Sequence, residues 1–143
     1  LDLLGLVVEE SARAGSELEL APGMDSLIVP GVAKLLRRLV RNLLENARRY
    51  GGPAGAGGIT VFMGQDAANA VLQVCDRGPG VPPDQRERIF EPFYRLPGAS
   101  EREGGVGLGL ALVKSIAERH GGSVRCEGRD GGGACFTVRL PVA

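Results

Sequence analysis

The sequence predicts an α/β sandwich (α+β), in which helices are layered on one face of a mixed, mostly antiparallel sheet. Three observations predict this class: two long amphipathic helical patterns, two pairs of alternating strand segments, and glycine- and proline-rich turns between them. A chain of 143 residues has the usual size for one hydrophobic core. We therefore expect one domain over residues 1–143.

The composition disfavours several functional classes. Apolar residues make up 43% of the chain and charged residues 24%, which argues against long disorder. Seventeen acidic and seventeen basic side chains leave no net charge, whereas nucleic-acid-binding domains usually carry a basic excess. The apolar runs are too short to span a bilayer, and the first ten residues lack the basic start of a secretory signal. We expect a cytoplasmic domain that contacts neither nucleic acid nor membrane.

The N-terminal third predicts a helix, two short strands and a long helix. Residues 1–15 are typical of a helix or of the end of a strand-to-helix unit, and the turn signal APGMD separates two predicted strands, ELEL and SLIV. A helix then begins near Pro30 and continues to Tyr50. Its apolar residues recur at helical spacing: Leu36, Val40, Leu43 and Ala47.

The remainder alternates strands with one more long helix. The predicted strands form two hairpins, ITVFMGQD with AVLQVCD and SVRCEG with ACFTVRL. A turn-rich connection, RGPGVPPD, leads to a short helix over residues 85–90. The segment LGLALVKSIAERHGG predicts a helix that ends at Gly121.

Three cysteines, Cys75, Cys126 and Cys135, lie in apolar strand segments without metal-ligand spacing. We expect buried, reduced thiols. Cys126 and Cys135 could face each other across a hairpin, but a disulfide would be unusual in the cytosol.

A polar stripe on the first long helix is the first functional candidate. Asn42, Glu45, Asn46 and Arg49 follow one another at i, i+3, i+4 and i+7, away from the apolar stripe. A solvated face explains such a stripe too, but two asparagines inside a helix cost propensity. Amide oxygens suit Mg²⁺ when phosphates complete its shell. Glu45 would then lie beside the metal, Arg49 would neutralise phosphate, and the Tyr50 ring would pack against a base.

Asp76 is the second candidate, because it follows an apolar strand and precedes Gly78 and Gly80. The glycines allow backbone to approach a ligand closely, and the carboxylate can accept a hydrogen bond from an adenine amino group. An ordinary turn is the alternative, since these residues are common turn formers.

The third candidate is a glycine-rich string that opens the second long helix. Backbone N–H groups there, together with the helix N-terminus, can bind phosphate. The predicted contacts are Gly105, Gly107, Leu108, Gly109 and Leu110. The preceding residues, rich in glycine, serine and charge, predict a lid over the nucleotide. Phe90 and Phe93 would anchor its hinge, although such aromatics are more often core residues.

With these segments placed, the chain closely resembles the catalytic, ATP-binding domain of two-component sensor histidine kinases, a family within the superfamily of gyrase, Hsp90 and MutL. NLLENARRY resembles the N box of that family, DRGPG its G1 box, IFEPFYR its F box and GVGLGL its G2 box. The resemblance covers most of the chain. It implies the Bergerat-type α/β sandwich.

The resemblance also implies roles for the motif residues. Asn46, helped by Asn42, binds Mg²⁺, and Glu45 assists phosphoryl transfer. Arg49 and Arg95 reach the phosphates.

The base and the triphosphate have their own implied contacts. Tyr50 packs on the adenine, Asp76 hydrogen-bonds its amino group, and the loop from Gly105 to Leu110 holds the triphosphate beneath the lid.

Three departures from the family pattern accompany these matches. Val106 stands where many relatives carry Ser or Thr, which removes a hydroxyl but leaves the backbone donors. The lid, residues 96–104, is short, so we expect fast nucleotide exchange. The one histidine, His120, lies at a helix end before two glycines, where the family has a structural capping residue rather than a phosphoacceptor.

We therefore expect a kinase catalytic domain that binds Mg²⁺ and ATP or ADP and phosphorylates a histidine on a dimerisation domain of the same protein. The family implies a response regulator as a further partner and, for the full protein, an inner-membrane sensor. Alternatives are a serine kinase of the anti-sigma-factor type and an ATP-binding regulatory module without transfer. The aromatic F box disfavours the first, and Glu45 disfavours the second. An ATPase of the gyrase or Hsp90 kind is less favoured, since it needs further transducer segments.

Overall fold

Five strands form one sheet in the part of the chain that the structure describes. The computed structural model describes residues 1–50, 58–94 and 108–143, with the backbone alone for Tyr50. The strands are β1 (Glu17–Leu20), β2 (Thr60–Asp66), β3 (Asn69–Cys75), β4 (Ser123–Gly128) and β5 (Ala134–Pro141). Their spatial order is β1-β2-β3-β5-β4. β1 runs parallel to β2, and the other neighbours are antiparallel. The predicted mixed, mostly antiparallel sheet is confirmed.

Among the described residues, three α-helices cover one face of this sheet: α1 (Leu3–Ala14), α2 (Ala33–Tyr50) and α3 (Gly109–Arg119). Alternate strand residues point into the core, as in β3, where Ala70, Leu72 and Val74 are each 1% exposed. The arrangement is the predicted α/β sandwich. Within the described residues, no helix has both the length and the apolar character that a membrane span needs.

The apolar stripe of α2 is confirmed as the centre of the core. Leu36, Val40, Leu43 and Ala47 are each at most 1% exposed. The helix begins at Ala33 rather than at Pro30, because Val32 supplies the first carbonyl, which accepts from the Leu36 N–H at 3.0 Å.

The expected strand SLIV is wrong, although ELEL is confirmed. Ile28 forms a single isolated bridge with Asp2. The Val29 N–H donates to the Leu1 carbonyl and the Leu3 N–H to the Leu27 carbonyl. Because α1 begins at Leu3, the backbone after Leu3 is helical and turns away from residues 27–29. The pairing between these two segments therefore cannot continue as a strand ladder.

One other element differs from the predictions, and the end of α3 agrees with them. The short helix expected over residues 85–90 consists of two 3-10 turns, Pro83–Gln85 and Arg88–Phe90. α3 ends one residue before His120, and Gly121 follows with a φ of 78°. Its N–H donates to the Glu118 carbonyl, so the glycine terminates the helix as predicted.

The expectation of three reduced thiols is wrong for two of them. Cys75 and Cys135 are directly opposite each other in the β3–β5 ladder and form a disulfide. Cys126 is buried and free, as expected, but its partner in the β4–β5 ladder is Phe136. The hairpin register therefore does not bring Cys126 opposite Cys135.

A buried carboxylate attaches α1 to α2. Glu10 is 2% exposed, and it accepts from Arg37 Nη1 at 2.6 Å and from Arg41 Nε at 2.6 Å. Burial raises the pKa of Glu10, but the hydrogen bonds from Arg41 and Arg37 outweigh it, so the pKa is lowered overall. This ion-pair cluster helps to hold in place the helix that carries the polar stripe.

Candidate functional site

The polar stripe of α2 lies at the edge of the helical layer. Asn42 and Asn46 are half-buried, whereas Glu45 and Arg49 are exposed. The Glu45 side chain is 56% exposed and pairs with Arg48, with Oε1 and Nη2 2.6 Å apart. Both asparagine amides are thus held near the protein surface, and the carboxylate remains within reach of another molecule. Arg48 was not among the predicted site residues, although its i,i+3 spacing from Glu45 is a usable signal.

Asn42 connects this stripe to the start of α3. Its Nδ2 donates to the Gly109 carbonyl at 3.4 Å. Within the described part of the chain, no side chain caps the N-terminus of α3, and a Cβ on Gly109 would meet no atom within 4 Å. The first N–H groups of a helix suit an anion such as phosphate.

Asp76 is the buried acidic group of the site, with 4% of the residue exposed. Its Oδ1 accepts from the Gly78 N–H at 2.9 Å and from the Ala134 N–H at 3.3 Å. Among the described residues, no hydrogen bond is made to Oδ2. Burial raises the pKa of Asp76, while the two backbone donors and nearby Arg129 oppose the rise. The carboxylate is thus held in one orientation with its second oxygen available to a ligand.

The two glycines after Asp76 have different structural roles. Gly80 has a φ of 77°, and a Cβ there would lie 3.1 Å from the Gly133 carbonyl oxygen. Gly78 supplies one of the two donors to Asp76. Gly80 thus lets two loops of the protein approach each other closely. The predicted approach of this backbone to a ligand stays a prediction.

The two predicted hinge aromatics differ in environment. Phe90 belongs to the core, where its ring meets the Phe136 ring edge-on with centroids 6.1 Å apart. Phe93 is 67% exposed and has a φ of 65°, a backbone conformation that costs energy for a side chain of this kind. Phe90 therefore anchors residues 90–93 to the core, and Phe93 does not.

Several predicted site residues lie outside the described part of the chain. They are Arg95, the lid of residues 96–104, Gly105, Val106, Gly107 and the side chain of Tyr50. Of the remaining loop residues, Leu108 and Gly109 are exposed and Leu110 is half-buried. Their contacts with phosphate stay predictions.

His120 has the structural role expected from the sequence. Its Nδ1 donates to the Ile116 carbonyl at 2.8 Å, and its Nε2 accepts from the Val32 N–H at 3.2 Å. This pattern assigns the proton to Nδ1. The ring thus joins the end of α3 to the start of α2, with both nitrogens engaged.

Comparisons with known proteins agree with this geometry. The family model described as histidine kinase-, DNA gyrase B- and HSP90-like ATPase matches residues 31–143. The sensor protein CutS of Streptomyces coelicolor is 42% identical over 121 residues, which are 82% of this chain and 28% of CutS. The histidine-protein kinase/phosphatase MprB of Mycobacterium avium is 37% identical over 144 residues, which are 98% of this chain and 27% of MprB.

Solved structures show the same relation. A mycobacterial sensor histidine kinase MprB superposes with a TM-score of 0.81 at 30% identity, covering 99% of this chain and 95% of that one. The ATP-binding domain of PrrB from Mycobacterium tuberculosis superposes with a TM-score of 0.77 at 28% identity, covering 100% and 96%. This chain spans less than a third of the length of the curated relatives named here.

Proposed function

Because this chain belongs to the family of histidine kinase-, DNA gyrase B- and HSP90-like ATPases, we propose that it binds ATP with Mg²⁺ and transfers the γ-phosphoryl group to a histidine. The acceptor would lie on a dimerisation domain of the same protein, and a response regulator would receive the phosphoryl group next. The relatives are named as sensor proteins and kinases, which favours this reading over a serine kinase. The full protein would be a membrane sensor with this domain in the cytoplasm.

One observation carries the proposal: Asn42 of the α2 polar stripe contacts Gly109 at the N-terminus of α3, which no side chain of the described residues caps. A triphosphate at that helix terminus would have the amides of Asn42 and Asn46 beside it. Asp76, buried at the end of β3, would take the adenine amino group on its Oδ2. In this proposal, three separate elements would provide the base contact, the phosphate contact and the amide oxygens.

The residues of the stripe fit a magnesium ion that is shared with phosphate. No cluster of three or more His, Cys, Asp or Glu side chains capable of holding a metal occurs in residues 1–50, 58–94 and 108–143. Mg²⁺ typically takes one or two protein ligands and completes its shell with phosphate oxygens and water. Asn46 would be that ligand, with Asn42 in support. The ion would neutralise charge on the phosphates during transfer.

Asn46→Ala tests the metal assignment in a calorimetric titration of the domain with ADP. Without the amide oxygen, we expect Mg²⁺ to strengthen binding by a few-fold less than in the unmutated protein, because one ligand of the ion is lost. Affinity measured in EDTA should stay the same and is the internal control. An unchanged Mg²⁺ effect would contradict the assignment. Absence of ADP binding to the unmutated domain at millimolar nucleotide would overturn the proposed function itself.

Glu45→Gln tests the transfer step. We expect nucleotide affinity to stay within about twofold and phosphorylation of an added histidine-bearing domain to slow by about 100-fold or more, as for loss of an acid–base group. Glu118→Gln, which makes the same change on the exposed face of α3, is the matched control. If Glu45→Gln weakened ADP binding and left the transfer rate of the bound complex unchanged, Glu45 would have a binding role only.

A further inference from the structure

Arg129 begins the turn that joins β4 to β5, and this turn lies over the sheet end that carries Asp76. The Arg129 N–H donates to the Gly133 carbonyl at 3.1 Å, and the Arg129 carbonyl accepts from the Gly132 N–H at 2.9 Å. Residues 129–133 therefore form a closed loop. Its position relative to the sheet depends on what the arginine side chain contacts.

The Arg129 side chain binds the start of β2, two strands away from β5. Nη1 donates to the Gly58 carbonyl at 2.9 Å and Nη2 donates to Thr60 Oγ1 at 2.9 Å. The side chain is half-buried. The rigid planar guanidinium makes both bonds at once, which a lysine could not reproduce with the same geometry.

Asp76 lies between the two regions that Arg129 connects. Thr60 is opposite Cys75 in the β2–β3 ladder, one residue before Asp76. On the other side, the Asp76 N–H donates to the Ala134 carbonyl at 2.9 Å, and a Cβ on Gly133 would lie 1.9 Å from the Asp76 carbonyl oxygen. The turn thus packs directly against the backbone of Asp76, and a side chain at position 133 would clash with it.

We propose that Arg129 is a positioning residue for adenine recognition, because it clamps the β4–β5 turn to the start of β2 and so fixes the Asp76 carboxylate between them. The inference rests on the proposed function, in which Asp76 receives the adenine. Arg77 also holds this loop, since its Nη1 donates to the Asp130 carbonyl at 2.9 Å.

The charge of Arg129 adds a measurable signature. Burial raises the pKa of Asp76, and Arg129 is the cation that opposes the rise. Among the described residues, Arg77, Glu17 and Glu19 also act on Arg129 through their charges. Cys126 lies near Asp76, and burial keeps its thiol protonated by raising its pKa to about 11. Removing the Arg129 charge should therefore raise the pKa of Asp76 further. As the pH is lowered, the carboxylate would then become protonated at a higher pH. The protonated group is a weaker hydrogen-bond acceptor for the adenine amino group.

The test compares Arg129→Gln, Arg129→Lys and the control Arg125→Gln, which removes an exposed arginine from β4. The Asp76 carboxyl carbon is titrated by NMR without nucleotide, and ADP affinity is then measured between pH 5 and 8. ADP itself titrates in the same way with every variant. A difference between variants in the pH dependence of ADP affinity therefore comes from the protein. For Arg129→Gln we expect a roughly three- to tenfold weaker ADP affinity near neutral pH. As the pH is lowered, the affinity should also begin to fall at a higher pH than in the unmutated protein. Arg129→Lys should return the pH at which affinity falls to its value in the unmutated protein, but should restore only part of the ADP affinity.

Each outcome has a distinct meaning. If Arg129→Gln matched Arg125→Gln in both the Asp76 titration and ADP affinity, the inference would be overturned. Weaker binding with an unshifted Asp76 titration and no rescue by lysine would also overturn it, because Arg129 would then act on folding alone. If the titration responded as expected but the unmutated domain bound no ADP, the clamp would stand and the proposed function would fail.

Discussion

Replacing Asp76 with asparagine should reduce ADP affinity by about 10- to 100-fold, the effect expected for losing a charged acceptor of a hydrogen bond. The physical reason is the orientation of the side chain. Backbone donors hold Oδ1 at 2.9 Å and 3.3 Å, so the asparagine oxygen should take that place and its Nδ2 should replace Oδ2. An amide N–H would then face the adenine amino group, which is itself a donor.

The measurement is a pair of titrations, one with ADP and one with GDP, on the unmutated and Asp76→Asn proteins. Guanine carries an acceptor where adenine carries the amino group, so the ratio of ADP to GDP affinity should fall. Asp84→Asn, which changes an exposed acid in the 3-10 turn Pro83–Gln85, is the control and should leave the ratio unchanged. Equal affinity of the unmutated protein for ADP and GDP would remove Asp76 from the adenine contact.

Replacing Gly122 with alanine should destabilise the whole domain. Gly122 connects α3 to β4, and a Cβ there would lie 1.9 Å from the Arg139 carbonyl oxygen and 2.9 Å from Leu140 Cδ2. The first clash is with the backbone of β5, which cannot move without disturbing its ladders. Such overpacking costs about 3 kcal/mol, sometimes more. Thermal unfolding should therefore begin about 10 °C lower.

Gly5→Ala is the matched control for this substitution. Gly5 lies within α1, and the nearest atom to an added Cβ is an Asp2 side-chain oxygen at 3.4 Å, an ordinary contact. Alanine there should stabilise the helix by about 0.5–1 kcal/mol. Circular dichroism melting curves of the two variants should move in opposite directions. A Gly122→Ala melting curve like that of the unmutated protein would show that β5 does not constrain this position.

Much of the fold follows from short-range patterns. The apolar residues of α2 recur at helical spacing, and the two hairpins show the alternation of half-buried strands, so these elements were predicted with nearly correct bounds. Where a segment's partner lies far along the chain, the prediction failed. SLIV has the composition of a strand, but its neighbour is the first turn of α1, which cannot continue a ladder.

Part of the candidate site was also accessible from the sequence. The helical spacing of Asn42 and Asn46 and the strand end before Asp76 identify the side chains, because each signal lies within a few residues. The pairing of Asn42 with Gly109 is different, since these residues are 67 positions apart. Only the packing of α2 beside α3 determines which group the amide meets.

The sequence by itself determined the sandwich class, the helices and hairpins, and the residue types at the candidate nucleotide site, because periodicity and turn chemistry are local. The tertiary structure alone decided the Cys75–Cys135 disulfide and the clamp made by Arg129. The cysteines are 60 positions apart, and Arg129 is 71 and 69 positions from its two anchors. Such contacts depend on strand register and on the close approach of loops at Gly133. Those are properties of how the elements pack together, and no single segment carries them.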